Sequence, residues 1–456
     1  MKYLQNKGKL NITKGSLSKN IFLFSVPLML SNLLQVLFNM ADIAVVGRFA
    51  GAQALGSVGS TSTLILLFTG VLIGLAAGVN VVAAFFIGAK KHRELEEAVH
   101  TSFVLCLLFA LFVTALSEIF AKEMLSLMQT KSILLSGAVL YFRIYMLSLP
   151  ALSLYNWGNA LLSATGDTKR PLIFLSIAGS ANIVLNLFFV IVCKMGVAGV
   201  AIASVIAQYI SALLILITLS HGACENMQFF FSKIKINANL AHKIIKIGIP
   251  SGFQYAIFAF ANIFIQSGVN SFDASMVAGN AASANADPLA YDIMAAFYAA
   301  CASFIAQNAG AKKSDRVLKS YFLSMGYAFF TGLLIGLLLY VFGRQFLSLF
   351  ATDESVIQAG MKRLRIMALS YCVSAFMDCS IAASRGLGKT LVPSIIVILG
   401  SCVFRIVWLY TVFAYFKTIE SLFLLYVFSW TITAIAEIIY FVIVFRDFRQ
   451  NRNYTK

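Results

Sequence analysis

Residues 88–91 read Gly-Ala-Lys-Lys, and the same four residues return at 310–313, which is 222 positions later in the chain. The same offset relates further short matches within 125–130 and 347–352, within 143–148 and 365–370, and within 166–171 and 388–393. Pro27 and Asn39 return as Pro250 and Asn262 at an offset of 223. One such match could arise by chance in an apolar chain, but five at essentially one offset indicate two copies of one unit.

The composition places both copies in a membrane. Of the 456 residues, 60% are hydrophobic and 12% are charged, whereas soluble proteins have about 45–50% apolar and about 25% charged residues. Uncharged runs such as 21–41, 247–272 and 320–343 are long enough to cross a bilayer, which takes about 20 apolar residues. The sequence therefore predicts an all-α integral membrane protein. The twelve expected transmembrane helices cover approximately residues 20–47, 55–88, 98–120, 133–163, 171–193, 197–219, 243–271, 275–309, 318–342, 355–384, 391–416 and 420–445.

The basic residues predict the orientation. The net charge is +17, and most of the 35 Lys and Arg residues fall in the tails and in alternate loops, the pattern of cytoplasmic loops. We expect both termini in the cytoplasm and a place in the cell membrane. Six helices per half is an even number, so both halves enter the bilayer in the same sense, and a pseudo-twofold axis lies along the membrane normal. The expected parts are a tail at 1–19, an N-lobe at 20–220, a linker at 221–242, a C-lobe at 243–446 and a tail at 447–456.

Polar residues within the first half suggest a cation site. Gln35, Asn39 and Asp42 recur at intervals of four and three residues, so they share one helix face, and Asn182 and Asn186 share another. An ionisable group within a span is costly and marks function. A carboxylate with amide oxygens suits a small cation, and the same carboxylate could carry a proton instead. Two alternatives remain: the Asn pair only joins neighbouring helices, or Asp42 pairs with Arg48 at the outer edge.

The second half departs from this pattern. At the repeat offset Phe404 and Trp408 replace the Asn pair, and the buried set becomes Asp378, Arg405 and Glu437. We expect either a salt bridge inside the lobe or a cavity-lining role for Asp378. Asp287-Pro288 should interrupt the eighth helix, since proline disfavours helix at the residue before it. Asp287 and Asp292 then face the substrate cavity, or else lie in headgroup water at an outer kink.

The chain also resembles multidrug and toxic compound extrusion (MATE) transporters over essentially its whole length. The resemblance rests on the helix that contains Pro27 and ends Asn39-Met40-Ala41-Asp42, on the two Gly-Ala-Lys-Lys segments, and on Gly166-Asp167-Thr168 with its second-half counterpart. It implies export of organic cations and other xenobiotics in exchange for Na⁺ or H⁺. It also implies a cation site at Asp42, Asn182 and Asn186, and a family acid on helix 10 at Asp378.

Together these features predict a secondary active multidrug efflux transporter that works by alternating access and exports mainly cationic xenobiotics in antiport with H⁺ or Na⁺. Five acids against one base in the spans (Asp42, Asp287, Asp292, Asp378 and Glu437 against Arg405) favour cations. The alternatives are a flippase for lipid-linked oligosaccharides and a non-coupled carrier. We expect a monomer without enzymatic activity and without a nucleic-acid partner. We expect no cofactor beyond the coupling ion, and no metal except Na⁺ at Asp42, Asn182 and Asn186. Pro27 and Pro288 are the expected helix-bending residues.

Overall fold

The computed structural model describes residues 10–222 and 228–450, and within these ranges the side chains of residues 255, 256, 259 and 260 are not described. All regular elements in the described residues are helical. Parts of the expected N-terminal tail, linker and C-terminal tail, namely 1–9, 223–227 and 451–456, lie outside the described residues.

Twelve helices follow one another along the described chain, and we number them in order. They are α1 (Leu17–Ala50), α2 (Ala52–Ala89), α3 (His92–Leu127), α4 (Ser132–Met146 and Leu149–Ala164), α5 (Lys169–Val192), α6 (Gly196–Ser220), α7 (Ala238–Val269), α8 (Ala274–Gly310), α9 (Ser314–Ser348), α10 (Glu354–Gly386), α11 (Leu391–Phe416) and α12 (Ile419–Gln450). Among the described residues, ten are long and apolar enough to cross a membrane, or eleven with the bent helix α4. This confirms the expected all-α membrane fold.

The internal repeat is visible in where the helices begin. Helices α2 to α5 start at residues 52, 92, 132 and 169, and α8 to α11 start at 274, 314, 354 and 391, each 222 positions later. Several helices extend past the predicted limits: α3, for example, covers His92–Leu127 instead of 98–120. The reason is that hydrophobicity marks only the membrane-embedded part of a helix, whereas backbone hydrogen bonding continues beyond it.

Helix α4 departs from the single helix expected at 133–163. It consists of two segments that meet at an angle of 43°. Pro150 lies in the first turn of the second segment, where its missing N–H removes no helical bond but where it cannot continue the preceding turn. The counterpart residue, Cys372, stands inside α10, which runs unbroken from Glu354 to Gly386.

The helices form two compact units. Unit 1 contains Leu10 and Leu30–Phe253, and unit 2 contains Asn11–Met29 and the residues from Gln254 onward. In these units the first part of α1 groups with unit 2 and the first part of α7 with unit 1. In both helices the transition follows an interior proline, Pro27 or Pro250, within four residues.

Glycines explain why the first part of α7 belongs to unit 1. Gly74 and Gly78 on α2 face Gly248 and Gly252 on α7, with four-residue spacing on each helix. A methyl group added at Gly78 would lie 2.6 Å from the backbone oxygen of Ile244, and one at Gly252 would lie 2.7 Å from the Cα of Val71. Such small residues let two helix backbones approach closely, which is how membrane helices gain packing energy without help from the hydrophobic effect.

In unit 2 the first part of α1 packs by side chains instead. Phe24 is fully buried and stands edge-on to Phe304 of α8, with ring centroids 5.4 Å apart. Ser25 donates a hydrogen bond to the backbone oxygen of Ala296 at 3.5 Å. The segment ahead of α1 is anchored on the same unit, since Arg316 donates to the carbonyl oxygens of Ile12 and Gly15 at 3.1 and 3.0 Å.

Candidate cation site

Four side chains of unit 1 form a closed hydrogen-bonded set, which we call the polar ring: Asp42, Asn182, Asn186 and Ser204. Asp42 accepts a hydrogen bond from the Asn186 amide through Oδ1 and one from the Ser204 hydroxyl through Oδ2 at 3.3 Å. Asn186 also donates to Asn182 Oδ1 at 3.2 Å. Asn182 donates to Ser204 Oγ at 3.3 Å, which closes the ring.

Three helices bring the polar ring together. Asn182 and Asn186 lie one turn apart on α5 and so share a face, while Asp42 comes from α1 and Ser204 from α6. Both α1 and α5 change to a wider π-helical turn a few residues after the ring, at Val46–Ala50 and at Phe188–Val192. Such turns are rare and are frequently found at functional sites.

Three members of the ring are buried, Asp42 is half-buried, and one amide oxygen has no partner among the described residues. Asn182, Asn186 and Ser204 are 6%, 0% and 7% exposed. Among the described residues the Asn186 Oδ1 atom has no hydrogen-bond partner, although a buried unpaired amide oxygen costs about 1–3 kcal/mol. Tyr141 and Tyr145 of α4 lie within electrostatic range of the Asp42 carboxylate. A half-buried carboxylate beside an unpaired carbonyl oxygen can take up a proton or a small hard cation.

Four residues are expected to couple the cation: Asp42, Asn182, Asn186 and Asn39. The structure brings the first three together. Asn39 and Gln35 share the α1 helix with Asp42, but both are exposed and, within the described chain, neither joins the ring. Arg48 forms no ion pair with Asp42 there either. Ser204 was missed by sequence reasoning, because one serine in the apolar α6 carries no sign of its partners. The only available signal was that its repeat counterpart, Tyr426, is also polar.

Apolar and aromatic side chains occupy the corresponding positions of unit 2. The repeat replaces Asp42 by Ile265, at the offset of 223 that holds for the first helix, and Asn182, Asn186 and Ser204 by Phe404, Trp408 and Tyr426. Phe404 and Trp408 contact each other with ring centroids 5.8 Å apart. The repeat therefore conserves the backbone of the site but not its polarity.

Arg405 lies against these aromatic rings. Its side chain is buried at 3% exposure, its guanidinium carbon is 4.3 Å from the Tyr426 centroid and 5.9 Å from that of Trp430, and its Nε donates to Ser429 Oγ at 3.2 Å. The described residues contain no ion pair between Arg405 and an acid. Cation–π contacts thus replace the salt bridge considered for this residue.

Glu437 and Asp378 form a separate acidic pair, near Arg385. Glu437 of α12 is fully buried, and in the described part of the chain neither of its carboxylate oxygens has a hydrogen-bond partner. The charges of Asp378 and Arg385, both on α10, act on it. The expected set of Asp378, Arg405 and Glu437 is therefore divided: the two acids interact with each other and not with Arg405.

A buried arginine of α10 neutralises Asp287. Arg363 of α10 has a side chain that is 5% exposed and pairs with Asp287 Oδ2 at 2.5 Å. Tyr371 donates to Asp287 Oδ1 at 2.6 Å. The charge count of five acids against one base is therefore wrong for the buried residues, since Arg363 is a second buried base.

The remaining predicted residues lie on α8 and α1. Asp292 is half-buried on α8. The helix is interrupted at Asn285, and Pro288 stands in the first turn of the segment that follows. Pro27 lies inside α1, which continues through it.

The chain has helices that can span a membrane, an internal repeat, and a polar ring that can take up an ion. Together these features define a multi-pass membrane transporter. The family model named MatE matches the chain twice, at residues 27–188 and 250–411. The chain belongs to the MatE family of multidrug efflux transporters. The two matches lie 223 positions apart and so agree with the internal repeat.

Curated relatives cover most of the chain. It is 26% identical over 391 residues to the probable multidrug resistance protein YoeA of Bacillus subtilis, with 84% of each chain covered. It is 28% identical over 362 residues to YpnP of the same organism, another probable multidrug resistance protein, with 79% of this chain and 80% of the relative covered. It is 25% identical over 355 residues to an FAD transporter of Shewanella oneidensis, with 75% and 77% covered.

Solved structures share the fold. One is a MOP superfamily transporter from Pyrococcus furiosus whose description says that the reverse polarity of its binding pocket suggests a different function; the TM-score is 0.91 at 20% identity, with 98% of this chain and 99% of that chain covered. Another is a MATE transporter in a bent conformation, with a TM-score of 0.89 at 20% identity and coverage of 96% and 98%.

Proposed function

We propose that this transporter exports organic xenobiotics in antiport with H⁺ or Na⁺, and that Asp42 couples the two movements. The observation that carries the proposal is the polar ring with its unpaired Asn186 oxygen. The ring combines a group that can change its charge with an acceptor that has no partner among the described residues. We also propose that the chain works by alternating access in the cell membrane, with both termini in the cytoplasm.

The hydrogen bonds of the ring suggest how each ion would be held. As an anion, Asp42 accepts from Asn186 and Ser204. When protonated, its hydroxyl needs an acceptor, and Asn186 Oδ1 is available nearby. Na⁺ would instead take oxygen ligands from Asp42, Asn186 and Ser204, the type of donor that hard cations prefer. Binding of either ion therefore requires the Asn186 amide to change its partners.

Proteoliposomes test the coupling, with the efflux of a fluorescent cationic dye driven by an H⁺ gradient or a Na⁺ gradient, one at a time. Asp42→Asn keeps the side-chain volume but cannot ionise, so coupled export should fall to the level of empty vesicles. Asn39→Leu on the same helix is the matched control and should export normally. Full gradient-driven export by Asp42→Asn would refute coupling at Asp42 and direct attention to Asp378 and Glu437.

Organic cations are the first substrate class that we propose. With Asp287 neutralised by Arg363, the acidic pair of Asp378 and Glu437 is the source of negative charge that we propose for unit 2. Each opposite charge at roughly 4 Å contributes about 4 kcal/mol at an effective dielectric near 20. The relatives named as multidrug resistance proteins are consistent with this class.

A second candidate is the export of anionic aromatic compounds. The specific observation is Arg405, a buried cation that faces Tyr426 and Trp430 and has no acidic partner among the described residues. A guanidinium binds phosphate and carboxylate, and aromatic rings stack on flat ligands. The relative that is named an FAD transporter carries a substrate of this chemistry.

The two classes can be separated in one assay. Vesicles are loaded with ethidium or with FAD, and export is compared between the unmodified protein and Arg405→Gln. If anions are carried, Arg405→Gln should lower FAD export by at least about tenfold. A loss of this size corresponds to one charge-assisted hydrogen bond, which contributes about 1.5 kcal/mol or more. Arg365→Gln, at an exposed arginine of α10, is the control. Export of ethidium alone by the unmodified protein would exclude the second candidate.

A further inference from the structure

A groove runs along unit 2 between α9, α10 and α12. Its volume is about 450 Å³, within the range of about 300–1,000 Å³ that is usual for ligand pockets. Nine of its lining residues are apolar or aromatic and the other two are arginines. The lining residues are Leu318, Tyr321, Phe322, Met325, Phe376, Ile438, Phe441, Val442, Phe445, Arg446 and Arg449.

The floor of the groove is aromatic and firmly held. The rings of Tyr321 and Phe441 lie 4.3 Å apart, and both residues are buried, at 3% and 1% exposure. The Tyr321 hydroxyl forms a hydrogen bond with Ser380 at 2.9 Å. Phe322 and Val442 on the walls are exposed. The groove therefore has a rigid base and opens to the side, where a membrane-spanning helix meets lipid.

The repeat shows what fills this position in unit 1. There the side chain of Phe229, from the segment ahead of α7, is 1% exposed and packs against His100 and Phe103 with ring centroids 5.4 and 4.6 Å apart. Its backbone N–H donates to Leu219 at 3.1 Å. At the repeat offset His100, Phe103 and Leu219 correspond to Phe322, Met325 and Phe441, all of which line the groove.

The described residues of unit 2 contain no counterpart of Phe229. At the repeat offset its position falls on Asn451, which lies outside the described residues. Tyr321 and Phe441 thus form the base of a position that in unit 1 is closed by the protein itself. An apolar group from outside the chain would gain about 25 cal/mol for each Å² that it buries there.

Two arginines determine which apolar ligand fits. Arg446 and Arg449 are exposed, lie three residues apart on the last turns of α12 and share one face. Asp447 stands between them in sequence but on another face, because adjacent helix residues point in different directions. Within the described chain neither arginine forms an ion pair. The groove thus joins an apolar channel to two unpaired cations at one end.

From this geometry we propose that the groove binds an anionic phospholipid, with an acyl chain on Tyr321 and Phe441 and the phosphate between Arg446 and Arg449. From Ile438 to Arg449 the helix rises about 16 Å, which suits an acyl chain lying below its headgroup. Arginine binds phosphate through two parallel hydrogen bonds. Basic pockets between transmembrane helices are suited to such headgroups.

Native mass spectrometry of the full chain in detergent tests the proposal, with phosphatidylglycerol and phosphatidylcholine of the same acyl chains as probes. The unmodified protein should retain one phosphatidylglycerol in preference to phosphatidylcholine. In Arg446→Gln/Arg449→Gln the preference should fall by roughly 30-fold, since each basic group contributes about fivefold near an anionic lipid. Arg446→Lys/Arg449→Lys keeps the charges and should recover most of it.

Two further variants separate the headgroup from the acyl chain. Lys243→Gln/Lys246→Gln removes an exposed pair of cations with the same spacing near the start of α7 and should leave the lipid preference unchanged. Val442→Trp fills the groove without changing its charge and should reduce retention of both lipids.

Four results would overturn the proposal. The first is equal retention of the two lipids by the unmodified protein, and the second is an unchanged preference in the double Gln variant. The third is lipid binding that appears only after residues 451–456 are removed. The fourth is a dimer that dissociates when Val442 is replaced. The third result would assign the groove to the chain's own C-terminal segment, and the fourth to a second copy.

Discussion

Asn186 holds Asp42 with its amide N–H group while its own carbonyl oxygen remains unpaired inside unit 1. Both amide protons of this residue face acceptors in the ring, Asp42 and Asn182. A fully buried carbonyl oxygen without a partner is costly, and a bound ion or proton at Asp42 would supply that partner. Asn182 differs, because both ends of its amide have partners.

This difference predicts unequal effects of two leucine substitutions. Asn186→Leu removes a potential ligand and should abolish Na⁺-driven export or, if H⁺ drives the transporter, shift the pH profile of export. Asn182→Leu should reduce the rate with a smaller change in ion dependence, because it removes only a neighbour of the ligand. Efflux measured against Na⁺ concentration and pH checks both. Identical, unaltered ion dependence in the two variants would reduce the ring to helix packing.

The ion pair between Arg363 and Asp287 predicts a large effect on stability. Asp287→Asn leaves a nearly buried guanidinium without its counter-charge, so we expect a loss of about 3–5 kcal/mol. Arg344→Gln breaks an exposed pair with Glu354, whose side chains are 66% and 47% exposed, and should cost no more than about 1 kcal/mol. Thermal unfolding in detergent compares the two. A similarly small loss in both would mean that water reaches the Asp287 pair.

At the scale of helices, close backbone contact distinguishes the pairing of α2 with α7. The two helices meet through Gly74, Gly78, Gly248 and Gly252, and the groups nearest to an added methyl are mostly backbone atoms that cannot move aside. Elsewhere in α2 a glycine can lie in open space: nothing lies within 4 Å of a methyl group added at Gly59.

Alanine at these two glycines of α2 should therefore act in opposite directions. Gly78→Ala forces α2 and α7 apart and should cost about 1–3 kcal/mol. Gly59→Ala meets no neighbour and should stabilise the helix by up to about 1 kcal/mol, since alanine favours helix over glycine. Melting temperatures of the purified variants provide the measurement. Equal melting temperatures would contradict the close contact at Gly78.

At the scale of the whole molecule, α1 and α7 each belong to two units. Each passes from one unit to the other within four residues of an interior proline. An interior proline removes one backbone hydrogen bond and permits bending. In these two helices the chain therefore crosses from one unit to the other close to a point where the helix can bend.

Replacing both prolines should stiffen the two helices. Pro27→Ala/Pro250→Ala restores the two hydrogen bonds, so we expect a higher melting temperature and slower export at saturating substrate. Pro171→Ala/Pro393→Ala is the control, because both prolines lie in the first turn of a helix, where no helical bond is missing. Unchanged export in the first variant would show that bending at these prolines does not limit transport.

The sequence by itself determined the membrane class, the internal repeat and three members of the polar ring. Apolar composition, an offset of 222 and residues spaced four apart on a helix are local or periodic features, so they can be read without a structure. The boundaries of helices and the break at Pro150 were predicted less well, because backbone hydrogen bonds continue past the apolar run and the effect of a proline depends on the turns around it.

Only the tertiary structure decided which polar groups are partners. Ser204 joins Asp42 although the two are 162 residues apart, Arg363 neutralises Asp287, and Arg405 packs on aromatic rings instead of joining an acid. Charges counted along a chain give no partners, since pairing depends on which helix faces meet. The division of α1 and α7 between the units has the same origin: it depends on contacts such as those of Gly78 and Phe24, which exist only after the helices have packed.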